Sequence, residues 1–93
     1  MRDTAFDPAD AYDRVAAELR ATYLAKNADY GDSFRSSYRE WGMIAALVRM
    51  DDKMKRLKNL AKNDAKVPET VRDTLLDLAN YAIMTAMEVD RGL

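Results

Sequence analysis

Neither cysteine nor histidine occurs among the 93 residues. Without cysteine there is no disulfide and no thiolate metal site, and the redox compartment is left unmarked. Without histidine the commonest general base and the usual zinc ligands are gone. Phe and Trp are sparse, at two and one beside five Tyr, and much of the 48% apolar content is alanine. Alanine removes little area from water, so a core built from this chain is thin and needs a partner surface to complete it. Gly-rich phosphate loops, the G-x-S-x-G elbow and a Ser/His/Asp set are also missing, so nucleophilic catalysis is not expected.

No sign of charge dominates: 15 basic residues stand against 16 acidic ones. Such a balance argues against bulk nucleic-acid binding and leaves phosphate recognition to local clusters. Met1 to Pro8 contains no apolar signal core, and no stretch approaches the length of a membrane span. The expectation is a cytoplasmic protein with no membrane partner. Its length suits one domain, residues 1–93, with 1–6 a loosely ordered start.

The residues present predict an all-α chain of three helices. Asp7-Pro8 supplies an N-cap followed by proline at the first helical position. Tyr12, Val15, Leu19, Thr22 and Tyr23 follow the helical period to an end near Asn27. A polar turn, Ala28 to Ser33, comes next. The second helix runs from about Tyr38 or Trp41 to about Asn63, with an apolar stripe of Ile44, Leu47, Val48, Met54, Leu57 and Leu60 or Ala61. Asp51 falls on that stripe, where a carboxylate is costly to bury without a partner. After the connector Asn63–Val67, the third helix opens at Pro68-Glu69 and closes at Gly92. Its seam is Val71, Leu75, Leu78, Ala82, Ala86 and Val89, and Leu76, Ile83 and Met87 add a second strip. Two long helices and a short connector predict an antiparallel hairpin with the first helix laid across it. The second strip predicts assembly into a larger bundle as a homo-oligomer.

Three constellations carry chemistry. Glu69, Asp73 and Asp77 ascend the third helix at four-residue spacing, with Asn80 and Glu88 beyond. Stacked carboxylates repel unless a divalent cation or facing basic groups neutralise them, and oxygen-only ligation suits Mg²⁺. A solvated acidic face is the plainer alternative. Arg49, Lys53 and Arg56 share one face of the second helix, while Asp51-Lys55 and Asp52-Arg56 form i,i+4 pairs. In the hairpin, Asp51 or Asp52 would join Asp77 around one metal while Lys53 and Arg56 meet phosphate oxygens. Finally, Lys26-Asn27-Ala28-Asp29-Tyr30-Gly31-Asp32-Ser33-Phe34 offers Lys26 and Asn27 to a phosphate or base edge and Tyr30 for base stacking. It also reads as a capped turn, with Asp29 and Asp32 bonding local backbone and Gly31 left-handed.

Lys26-Asn-x-Asp-Tyr-Gly-Asp-Ser-Phe34, Asp52-Lys-x-x-Arg-Leu57 and Asp73-Thr-Leu-x-Asp-Leu-Ala-Asn-Tyr-Ala82 together resemble one family. It is the nucleotide modification associated domain family, first variety, found largely in phages and prophages. The resemblance spans residues 19 to 88 and implies nucleotide handling in a host's cytoplasm. More distantly, the chain is similar to MazG-like all-α NTP pyrophosphatases, whose ExxE and ExxD motifs hold Mg²⁺ against a nucleoside triphosphate. Asp77 looks like the Asp of the second motif. Thr74 stands where its partner Glu falls, and Asp73 is the substitute. The second helix offers Asp51-Asp52-Lys53 and no paired glutamates.

A nucleotide-binding protein is therefore expected, with Mg²⁺-assisted hydrolysis of a (deoxy)nucleoside triphosphate as the enzymatic form. Asp73 and Asp77 are its catalytic candidates, and Asp52, Asp73 and Asp77 the metal set. Lys26, Asn27, Tyr30, Arg49, Lys53, Arg56 and Asn80 are the ligand contacts. Two alternatives remain at this point. One is a metal-free sponge for a cyclic or ADP-ribose-derived immune signal, and the other a helical adaptor that binds another protein.

Overall fold

A computed structural model of the chain describes residues 5–30, 32–63 and 68–92, and for 28–30, 68 and 69 the backbone alone. Every regular element among the described residues is helical: α1 Pro8–Tyr30, α2 Ser33–Trp41, α3 Met43–Lys62 and α4 Pro68–Asp90. The chain divides into two compact units, Met1–Gly31 and Asp32–Leu93. No described helix is long and apolar enough to cross a membrane.

The first unit contains α1. Asp7 caps it as its sequence predicts: the Asp7 carboxylate accepts from the Ala9 amide at 2.9 Å and the Asp7 carbonyl from the Ala11 amide at 2.9 Å. The expected end near Asn27 is corrected, because the helix continues to Tyr30. Lysine, asparagine and alanine are tolerated in a last turn, and a polar run alone does not stop a helix. The expected left-handed Gly31, the side chains of Asp29 and Tyr30, and most of the 1–6 segment lie outside the described residues.

In the second unit the predicted second helix is two helices. Ser33–Trp41 is already helical, and the break falls at Gly42, with φ 75° and ψ −156°. That conformation is nearly exclusive to glycine, and the Gly42 amide closes α2 by donating to the Tyr38 carbonyl at 2.7 Å. Asp32 occupies the N-cap position of α2 without a side-chain capping bond; its carboxylate leans toward Arg35 at 3.8 Å. A Cβ at position 42 would meet open space, so substitution there strains only the backbone. Gly42→Ala should cost about 1–3 kcal/mol. The check is a lower urea midpoint with an unchanged denaturant slope.

The chain turns back at Gly42, so α2 packs against the first half of α3, and α4 runs antiparallel to α3. The core lies where the three meet: Phe34, Tyr38 and Ala46 are buried, with Met50, Tyr81 and Met84 against them. Phe34 stacks on Tyr38 with ring centroids 6.4 Å apart, and meets Tyr81 at 5.9 Å. Helix α4 ends as expected at Gly92, at φ 81°, whose amide donates to the Val89 carbonyl. The connector Asp64–Val67 lies outside the described residues.

The apolar stripes take a different orientation from the one periodicity predicts. On α3, Ile44, Leu47, Val48 and Met54 are exposed, and only Leu57 and Leu60 of the predicted stripe are half-buried. On α4, Leu75, Ala82, Ala86 and Val89 are exposed, while Val71 and Leu78 are half-buried. The inward face of α4 is instead polar at Thr74, Thr85 and Glu88, all buried. The two threonines satisfy themselves locally, donating to the Thr70 and Tyr81 carbonyls at 2.8 and 2.7 Å. Periodicity finds the most apolar flank of a helix. Within this unit, α2 and α4 meet another flank.

Candidate functional site: the basic seam between two helices

Arg49, Lys53 and Arg56 lie on one face of α3, as their spacing predicts, and that face turns toward α4. Arg49 is opposite Tyr81, Lys53 opposite Asp77 and Arg56 opposite Thr74. The Lys53 Nζ is 3.2 Å from Asp77 Oδ2, and both side chains are partly exposed, near 30%. Arg56 Nε donates to Thr74 Oγ1 at 3.3 Å. Arg49 Cζ sits 5.9 Å from the ring centroids of both Phe34 and Tyr81, and its Nη2 donates to Ser37 Oγ at 3.4 Å. A guanidinium at that distance from two aromatic faces is held by their quadrupoles. The seam is thus a row of three cations with carboxylate, hydroxyl and aromatic partners.

One end of the unit holds a different arrangement. Glu88 is buried, its side chain only 5% exposed, with Arg35 Nε 3.7 Å and Arg91 Nε 3.8 Å from Oε1. These distances are ion pairs without a hydrogen bond, and Glu88 Oε1 and Arg35 Nε are both buried without a bonding partner. The sequence places Glu88 beyond the acidic ladder but gives no sign of Arg35 as its partner, because that pairing depends on the turn at Gly42.

Several expected groupings are rearranged. The metal set Asp52, Asp73 and Asp77 is not assembled: Asp77 faces Lys53, while Asp52 and Asp73 are exposed. Among the described residues no group of three or more acidic side chains is placed to hold a metal ion. The physical reason is that Asp77 alone of the three lies on the face of its helix that meets the other helix. Asp51, expected to threaten the apolar stripe, is exposed and pairs with Lys55 at 2.8 Å. The Lys55 amine is held above its ordinary value, first by that hydrogen bond and then by the Asp51 charge. Asp52 does not hold Arg56 in the seam, since Arg56 reaches Thr74.

Asn80 is half-buried on α4. Lys26 and Asn27 lie exposed near the end of α1, in the Met1–Gly31 unit. Sequence reasoning missed Ser37, Thr74 and Tyr81 as parts of the seam. The last two were findable, since Thr74, Asp77 and Tyr81 repeat the three- and four-residue spacing of Arg56, Lys53 and Arg49 in reverse order.

Residues 26–89 match the family described as nucleotide modification associated domain 1. No curated protein and no solved structure matches the chain. The family match covers α2, α3 and α4 almost entire, and with them the whole basic seam. The chain belongs to the nucleotide modification associated domain 1 family.

Proposed function

We propose that the chain binds a nucleotide, or a small molecule derived from one, through the basic seam of α3 and α4 and holds it without hydrolysis. The observation that carries this reading is the row Arg49, Lys53 and Arg56, turned toward α4 and engaged by displaceable groups of α4 and α2. Hydroxyl contacts of 3.3 and 3.4 Å are long for hydrogen bonds. Phosphate oxygens accept from the same cations in shorter, charge-assisted bonds about twice as strong as neutral ones. Asp77 is the competitor, since it neutralises Lys53 when the seam is empty. Tyr81 and Arg49 supply flat faces of the kind on which bases stack. Family membership makes a nucleotide the natural anion. This reading includes no metal-assisted step, in keeping with the dispersed carboxylates among the described residues.

The test is calorimetric titration with nucleoside mono-, di- and triphosphates and ADP-ribose, with and without Mg²⁺. Binding is expected in the absence of Mg²⁺, weaker at high salt, with the ligand recovered intact after denaturation. Lys53→Met and Arg56→Met should each weaken affinity roughly tenfold, the equivalent of about 1.4 kcal/mol. Asp77→Asn has the discriminating sign. It releases Lys53 and removes a like charge, so it should tighten binding several-fold. Mg²⁺-dependent turnover abolished by Asp77→Asn would replace this reading with a phosphohydrolase. Absence of binding by every nucleotide would leave the helical adaptor.

A further inference from the structure

We infer that the uncharged flank of α4, continued by Leu47 and Met54 of α3, is the contact surface for a second copy of this chain in a two-fold homodimer. On both helices each exposed apolar residue of this flank follows an inward-facing one by a single position. Leu47 follows Ala46 and Met54 follows Lys53; Leu75 follows Thr74, Ala82 follows Tyr81, Ala86 follows Thr85 and Val89 follows Glu88. One position is a rotation of about 100° in a constant sense. In an antiparallel pair, equal rotation from the facing surfaces brings both stripes to one side of the hairpin. Helix α2 docks elsewhere, on Arg49, Ala46, Tyr81 and Glu88.

Three properties of this flank select its occupant. Between Leu75 and Val89 the only charged residues are Asp77 and Glu88, and both turn away, toward Lys53 and toward Arg35 and Arg91. A helix face bound for water carries charge, so the α4 part of the flank is suited to being covered, while on α3 the exposed Asp51–Lys55 pair borders it between Leu47 and Met54. Its size profile reads alike in both directions: Leu75 and Val89 at the ends, with Ala79, Ala82 and Ala86 between. Antiparallel self-crossing at Ala82 then sets each large end residue over its counterpart and lets the backbones approach at the alanines. That is the self-complementarity an isologous interface requires. Lastly, a stable dimer needs about 800 Å² from each partner. A flank about 21 Å long and two helices, about 20 Å, wide offers a corrugated surface of that order. The unit has reason to use it, since among the described residues no large side chain is fully buried.

The test uses the full chain, which has no cysteine of its own. Sedimentation equilibrium at about 10 µM should give a dimer. Ala82→Cys should form an intermolecular disulfide under mild oxidation at least tenfold faster than Arg39→Cys, since the two-fold axis brings the paired positions within disulfide reach. Ala82→Glu sets two carboxylates against each other and should weaken the dimer at least 100-fold; if that variant fails to fold, the cysteine pair still decides. A folded monomer at that concentration would overturn the inference, whether its Ala82→Cys thiol is protected from reagent by another part of the same chain or open to it. So would a dimer in which the two cysteine variants crosslink at equal rates.

Discussion

Replacing Tyr38 with alanine is expected to leave the Asp32–Leu93 unit largely unfolded. Tyr38 is 4% exposed and is the largest of the three buried apolar residues, beside Phe34 and Ala46. Truncating a buried aromatic side chain costs about 3–5 kcal/mol, from lost transfer energy and the cavity that remains. A unit of this size is stabilised by only a few kcal/mol, on the order of 0.1 kcal/mol per residue. The substitution therefore consumes most or all of the margin. Phe34, over whose ring Arg49 sits, would lose its stacked neighbour. Urea unfolding followed by far-UV circular dichroism, at fixed protein concentration, measures the loss. A midpoint within a few tenths molar of the parent would show that Tyr38 does not organise the core.

Glu88→Ala is expected to cost about 2–3 kcal/mol, for a different reason. The carboxylate is buried between Arg35 and Arg91, and the Arg35 side chain is itself 29% exposed. Removing Glu88 leaves the partly desolvated Arg35 charge with only the exposed Asp32 carboxylate, 3.8 Å away, to offset it, and breaking one side of a buried pair is strongly destabilising. The partial exposure of Arg35 reduces the loss below that of a fully buried pair. Because both contacts exceed hydrogen-bonding distance, the attraction only partly offsets the desolvation of the two ions. The double variant Arg35→Met, Glu88→Met should accordingly recover to within about 1 kcal/mol of the parent, or surpass it. A double-mutant cycle on thermal midpoints reads the coupling directly. Strictly additive losses would mean that the two side chains act independently.

Much of the scaffold is legible in the sequence. Asp7-Pro8 and Gly92 mark helix ends by residue chemistry alone, and the cationic row follows from spacing. The positive φ of Gly42 is what creates α2 and brings Phe34, Arg35 and Ser37 back over α3 and α4. No periodic pattern within α3 contains that information. The burial pattern was illegible for a deeper reason. Periodicity shows which flank of a helix is most apolar, whereas burial depends on which flank its neighbours meet. Here Thr74, Thr85 and Glu88 face inward and Leu75, Ala82 and Val89 outward. For the same reason the acidic ladder suggested a metal site: spacing put Asp73 and Asp77 on one helix but could not say that only Asp77 turns toward α3.

The matched spacing of the seam has a consequence for how this family can vary. Arg49 with Tyr81, Lys53 with Asp77 and Arg56 with Thr74 are three teeth of one vernier, all aligned at a single offset between two antiparallel helices. One residue inserted between Thr74 and Tyr81 turns everything beyond it by about 100° and dealigns at least one tooth. A residue inserted between Asn63 and Pro68 alters no spacing within either helix. Insertions and deletions among relatives should therefore concentrate at 64–67 and be absent from 49–56 and 74–81. Drift in chain length should then be confined to residues 64–67, with the ruled portion inherited at constant length.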